Sequence, residues 1–125
     1  MSYPVEYTEI MYRGRAFTVR KDRVRLPNGG AAQLDIVEHV GAVTIVPVDA
    51  DEQVWFVHQY RHATSKDLLE LPAGTLEPGE APEICAAREI REEIGMRAGA
   101  LRKLGEFYLA PGYSTEYMHV FLATG

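Results

Sequence analysis

From Ala81 to Ile94 the chain is a run of good helix formers with no interior glycine, an early proline at Pro82 and Gly95 just past its end. This punctuation predicts a helix over residues 81–94, because proline suits a first turn and glycine ends a last one. At about 100° per residue, Ala86, Ile90 and Ile94 stack into an apolar stripe, widened by Ile84 and Ala87, so the helix needs a layer to pack against. Glu89, Glu92 and Glu93 fall on a neighbouring arc at spacings i, i+3 and i+4. Like charges so placed cost an isolated helix roughly a few tenths of a kcal/mol per pair. On the helix alone, such an arc reads as a solvated face laced with Arg88 and Arg91. Oxygen ligands gathered beside a packed face also suit a hard divalent cation. Mg²⁺ takes one or two carboxylates and completes its shell with water and phosphate oxygens.

Extended segments surround this helix. Thr8 to Tyr12 and Ala16 to Leu26 read as strands, with Phe17, Val19, Val24 and Leu26 as buried positions of the second. Pro27-Asn28-Gly29-Gly30 is a turn signal, after which Ala31 to Val40 returns as a strand. Positive side chains at Arg13, Arg15, Arg20, Lys21, Arg23 and Arg25 read as a solvated sheet face, with an anionic ligand or a partner subunit as the sharper alternative. Gly41 to Val48 is apolar apart from Thr44 and Pro47 and predicts a buried strand. Val54 to Tyr60 is expected as the next strand. A short extended piece follows at Leu68 to Leu71, then the Pro72-Ala73-Gly74 turn; Leu101 to Tyr108 and Tyr117 to Ala123 complete the set. Strands on both sides of one amphipathic helix imply an α/β protein with a mixed sheet and the helix on one face.

Composition narrows the function classes. A chain of 125 residues is the size of one domain. Its formal charge of -5 argues against a general nucleic-acid binder, which would present a basic face, but does not oppose a small diphosphate bridged by metal ions. Cys85 is the sole cysteine, which rules out an intramolecular disulfide and suits a reducing compartment. The longest apolar run, Val40 to Val48, is about half a membrane-spanning helix. A cytoplasmic protein without membrane or nucleic-acid partners is the expectation. The four histidines, His39, His58, His62 and His119, form no zinc spacing.

The spacing around the helix is more specific than the helix itself. Gly74, then five residues, Glu80, then seven, Arg88-Glu89-Ile90, one residue, Glu92-Glu93, one residue, Gly95-Met96: all nine defined positions of the 23-residue Nudix box are met. The chain therefore resembles a Nudix hydrolase. Gln59-Tyr60-Arg61, Glu70-Leu71-Pro72-Ala73-Gly74 and Ala110-Pro111-Gly112 with Glu116 extend the likeness to the ADP-ribose pyrophosphatase branch, in which a proline follows the last box glycine by about sixteen residues, as Pro111 follows Gly95. The likeness runs from about Arg13 to the chain end.

The resemblance implies a Nudix α/β/α sandwich around a mixed β-sheet and Mg²⁺-dependent hydrolysis of ADP-ribose to AMP and ribose 5-phosphate, with Mn²⁺ as a substitute ion. It implies Glu89, Glu92 and Glu93 as metal ligands, with the backbone carbonyl of Ala73 completing a site. Glu92 or Glu93 orients the attacking water, and Arg88 holds a box carboxylate such as Glu80 or Glu92. Gly74 is expected to provide a close turn and Gly95 the helix stop. Arg61, Glu70 and Glu116 are the expected substrate contacts, and Phe17, Tyr12 and Tyr113 candidates for stacking on adenine. Residues 1–40 are expected to form an N-terminal β segment that serves as the arm of a homodimer. Residues 41–125 would be a catalytic core, short at its C-terminus because relatives continue through a loop glutamate and a final helix. Two alternatives stand beside this reading: a pyrophosphatase for another nucleotide-sugar or dinucleotide, and a non-catalytic Nudix module that senses ADP-ribose.

Overall fold

The computed structural model describes residues 2–125. They gather into two compact units, one of residues 2–40 with Tyr108–Tyr117, the other of Gly41–Phe107 with Met118–Gly125.

In the first unit, β1 (Val5–Arg13), β2 (Thr18–Arg25) and β3 (Ala31–Glu38) form an antiparallel sheet in that order. The turn between β2 and β3 closes through the Leu26 N–H on the Gly30 carbonyl at 2.7 Å, with Gly29 at φ 88°, a left-handed backbone that glycine adopts without penalty. Val24 is buried as the alternation in β2 predicts. Phe17 is not: it lies before β2 begins and is 41% exposed. The three arginines of β2 are tied to acids of their own sheet. Arg20 pairs with Asp22 and Glu38, and Arg23 and Arg25 with Glu6.

In the second unit, β4 (Ala42–Pro47), β7 (Ala73–Thr75), β8 (Ala100–Tyr108) and β9 (Tyr117–Thr124) form a sheet of order β7-β4-β9-β8. It is mixed, because β4 runs parallel to β9 and antiparallel to β7. A separate ribbon pairs β5 (Val57–Arg61) with β6 (Lys66–Glu70). Helix α1 (Pro82–Ile94) has proline in its first turn and ends on Gly95 at φ 67°, whose N–H donates to the Arg91 carbonyl. Cys85, Ala86 and Ile90 of α1 pack with Val43, Ile45, Phe121 and Ala123 of the sheet, all at or below 4% exposure.

The structure corrects the helix face. Cys85, Ala86, Glu89 and Ile90 are the buried residues of α1, so its inward direction passes between Ala86 and Glu89. Ile84 lies on the far side from that direction and is 62% exposed. The strand expected from Val54 begins only at Val57. Asp49 is the reason: its carboxylate accepts the N–H groups of Asp51 and Gln53 and the indole N–H of Trp55, each at 2.9 Å, which closes residues 49–53 as a turn and leaves Val54 only an isolated bridge to Val48. These bonds also lower the Asp49 carboxyl below its usual range, the Gln53 bond most.

Candidate active site

The site is built where α1 passes beneath β7. Antiparallel pairing sets Ala73 opposite Thr44 and Gly74 opposite Val43, which fixes β7 against the centre of the sheet. Gly74 is thus a strand residue rather than a turn residue. Its need for glycine is steric, because a Cβ there would stand 2.1 Å from Cδ of Glu89. The Glu89 carboxylate lies flush against the strand backbone, and Glu89 is 8% exposed although charged. A buried carboxylate needs partners, since desolvating an unpaired charge is costly.

Arg88 supplies them. Its Nε and Nη2 donate to Glu80 at 3.1 and 2.9 Å in a bidentate fork. Nη1 donates to Glu89 at 2.9 Å and reaches Glu92 at 3.4 Å. Nη2 also approaches the Thr75 carbonyl at 3.5 Å, tying the helix back to β7. Glu80 is held from a second direction, by the Glu77 N–H at 3.0 Å. The Arg88 fork, with that backbone bond, holds the Glu80 carboxyl down at about 2. Arg88 is shifted upward in turn, chiefly by Glu80. The expected pairing of Arg88 with Glu80 and Glu92 is present; its bond to Glu89 was not anticipated from the spacing.

Glu93, one turn beyond Glu89, is half-buried, and burial pushes its carboxyl upward. The Ala73 N–H opposes that shift, while the Glu89 charge adds to it. Glu92 differs: its side chain is 58% exposed, so of the three glutamates it is the one facing solvent. Among the described residues, no three His, Cys, Asp or Glu side chains already converge around one point. The donor chemistry nevertheless fits a hard divalent cation. Glu89 and Glu93 are carboxylates near enough to repel, the glycine opposite Glu89 leaves its oxygens uncovered by a side chain, and one guanidinium faces four acids, Glu77, Glu80, Glu89 and Glu92.

Arg61 and Glu70, expected separately as substrate contacts, bind each other. The register of β5 and β6 puts Arg61, Leu68 and Glu70 on one face of the ribbon, and Arg61 donates from Nε and Nη2 at 2.8 and 2.7 Å. That fork raises Arg61 and lowers Glu70. The Arg61 charge also acts to lower the Glu93 carboxyl, though less than burial raises it. Glu116 belongs to the first unit, with Oε2 4.0 Å from Nε2 of His39. Tyr12 and Tyr113 are 60% and 58% exposed, so each offers a ring face to solvent. Cys85 takes no chemical part: it is fully buried, its thiol donates to the Thr75 carbonyl, and burial pushes it up to about 12. An apolar cleft of about 250 Å³ lies toward the other end of α1, among Pro47, Trp55, Ile94 and Met96. Its one acid, Asp49, is already engaged by its own turn, so the cleft is not where the charge chemistry resides.

Residues 38–125 match the NUDIX domain, well over half of the chain. The chain belongs to the NUDIX family. Among NUDIX relatives it is 45% identical over 119 residues to an ADP-ribose pyrophosphatase of Mycobacterium tuberculosis, covering 94% of this chain and 58% of that protein. It is 41% identical over 115 residues to an ADP-ribose pyrophosphatase of Bacillus subtilis, covering 92% and 62%. The chain thus spans about three fifths of the length of these curated relatives. A crystal structure of an ADP compounds hydrolase superposes with a TM-score of 0.86 at 28% identity, over 99% of this chain and 68% of that one. NUDIX hydrolases generally use divalent metal ions.

Proposed function

We propose that the protein hydrolyses the pyrophosphate bond of ADP-ribose, giving AMP and ribose 5-phosphate, with Mg²⁺ as its ion and Mn²⁺ as a substitute. The observation that carries the reading is the Glu89 carboxylate laid against Gly74, beside Glu93 and gripped by Arg88. Relatives bearing the name ADP-ribose pyrophosphatase, at 41% and 45% identity, support the choice of substrate.

Glu89, Glu92, Glu93 and the Ala73 carbonyl would hold the metal. When bound, it neutralises phosphate charge and makes a nucleophile available from water near neutral pH. The rest falls to the chain. Arg88 sets the rotamers of Glu89 and Glu92 and keeps Glu80 ionised as its counter-charge. Glu93 orients the attacking water and takes its proton, with Glu92 assisting, a role that a carboxyl raised by burial supports. Arg61 opens its fork from Glu70 to a phosphate, for which guanidinium geometry is suited, and Glu70 is left to accept from a ribose hydroxyl or the adenine amino group. Glu116 accepts from the hydroxyls of the terminal ribose.

Residues 1–40 are proposed as a dimerisation arm preceding a catalytic core of residues 41–125. A homodimer is supported by the exposed apolar side chains of β1. A cytoplasmic location without nucleic-acid or membrane partners fits the acidic composition, and no described helix is long and apolar enough to cross a membrane.

The test is AMP release from ADP-ribose, ADP-glucose, GDP-mannose, NADH and diadenosine polyphosphates with Mg²⁺. Preference for ADP-ribose is the expected result. Tight binding of ADP-ribose without AMP release would replace the enzyme by a sensor, and preference for another compound would replace the substrate. Glu93→Gln is expected to lower turnover on the order of 10²-fold or more while the thermal transition stays near that of the parent. Near-normal turnover in that variant would remove Glu93 from its role.

A further inference from the structure

Thr44 is the one polar side chain of β4. It lies on the face away from the core residues Val43 and Ile45, and Val46 shows that this face accepts an apolar side chain. The Thr44 hydroxyl donates to the Pro72 carbonyl at 3.3 Å, and the Ile45 N–H donates to the same oxygen at 2.9 Å. Both lone pairs of that carbonyl are thus used, and Pro72 is fully buried. Register explains why the grip falls there. The bonds from Ile45 to Pro72 and from the Leu76 N–H to the Gly41 carbonyl make Thr44–Ala73 and Ala42–Thr75 the non-hydrogen-bonded pairs of the ladder. The N–H and carbonyl of Ala73 therefore point away from β4, and because β7 is the edge of its sheet they face the open side. There the N–H donates to the Glu93 carboxylate.

A peptide unit is planar, so the Pro72 carbonyl and the Ala73 N–H turn together. Two donors on the carbonyl therefore hold the N–H on Glu93, and the Ala73 carbonyl follows on the same side of the strand. Metal ligands bind more tightly when their own bonding partners fix their orientation. We propose that Thr44 is a positioning residue that sets divalent-metal affinity by fixing the Pro72–Ala73 peptide. This rests on the reading of Glu93 and the Ala73 carbonyl as metal ligands.

Thr44→Val keeps the branched shape that suits a strand and removes the hydroxyl, and Thr44→Ser keeps the hydroxyl. Val46→Ala disturbs the same face of β4 beyond its pairing with β7 and serves as the control. The readout is Mn²⁺ binding by the full chain without substrate, followed by electron paramagnetic resonance beside a thermal melt. Thr44→Val should weaken Mn²⁺ roughly tenfold, with serine restoring it. Val46→Ala should lower the thermal transition and leave Mn²⁺ affinity where it was. With ADP-ribose, Thr44→Val should need more Mg²⁺ for activation, while kcat and KM at saturating Mg²⁺ stay within about twofold of the parent. Equal losses of Mn²⁺ affinity in Thr44→Val and Val46→Ala, or a loss that serine does not repair, would overturn the assignment. If Thr44→Val fails to fold, Thr44→Ala is read in its place by the same criteria. A parent that binds no Mn²⁺ would sink the reading of the metal site together with this inference, whereas parent binding that Thr44→Val leaves unchanged would remove Thr44 alone.

Discussion

Glycine at position 74 and glutamate at position 80 show how little of the site can be altered without effect. A methyl group at Gly74 would collide with the carboxylate of Glu89 rather than with a movable tip, because that carboxylate is also held by Arg88. Gly74→Ala is therefore expected to displace Glu89 and reduce turnover on the order of 10²-fold, checked by steady-state kinetics beside a thermal melt. Glu80 makes a different prediction. Its carboxyl titrates at about 2 when folded and 4.5 by its ordinary value, so the folded state binds its proton less readily than the unfolded state. The Glu80–Arg88 contribution to stability is then fully present above pH 4.5 and is lost as pH falls toward 2. Glu80→Gln should lower the urea midpoint at pH 7 and flatten its decline between pH 4.5 and 2. A parallel decline in the two proteins would show that Glu80 does not carry the acid sensitivity.

Helix α1 shows what was legible in the chain at the scale of an element. Its start, its end on Gly95 and the burial of Ala86 and Ile90 followed from proline, glycine and periodicity, all local signals. Ile84 was misplaced because a wide apolar stripe has two possible centres, and only the sheet decides between them. That decision also separated the glutamates. Glu89 and Glu93 turn toward β7 and Glu92 toward solvent, a distinction absent from their spacing. The ribbon partnership of Arg61 with Glu70 was hidden for the same reason, since register comes from pairing and not from either strand alone. The opposite burial of the two isoleucines gives a direct check. Ile90→Ala, at 2% exposure in the core, should cost about 2–5 kcal/mol by denaturant unfolding, whereas Ile84→Ala, at 62%, should stay within about 0.5 kcal/mol. Equal costs would mean that the helix face is assigned wrongly.

For the whole molecule, the box residues all lie in one unit, and the first unit carries a separate problem. Strand β1 lies at the edge of its sheet and every one of its residues is exposed, among them Val5, Tyr7, Ile10, Met11 and Tyr12. A long edge strand with apolar side chains on both faces is a template for pairing, and proteins that stay monomeric usually blunt such an edge with charge, proline or a bulge. Here the register with β2 slips between Val5 and Tyr7 and again between Ile10 and Tyr12, which bends the strand without removing its apolar surface. The proposed homodimer would cover it. Charge introduced at Ile10 and Met11 leaves the buried residues of β2 untouched but places two carboxylates where a dimer would exclude water. Ile10→Glu with Met11→Glu is therefore expected to convert a dimer into a monomer in sedimentation velocity while circular dichroism is preserved. A parent protein that sediments as a monomer at tens of micromolar would leave this edge without its proposed partner.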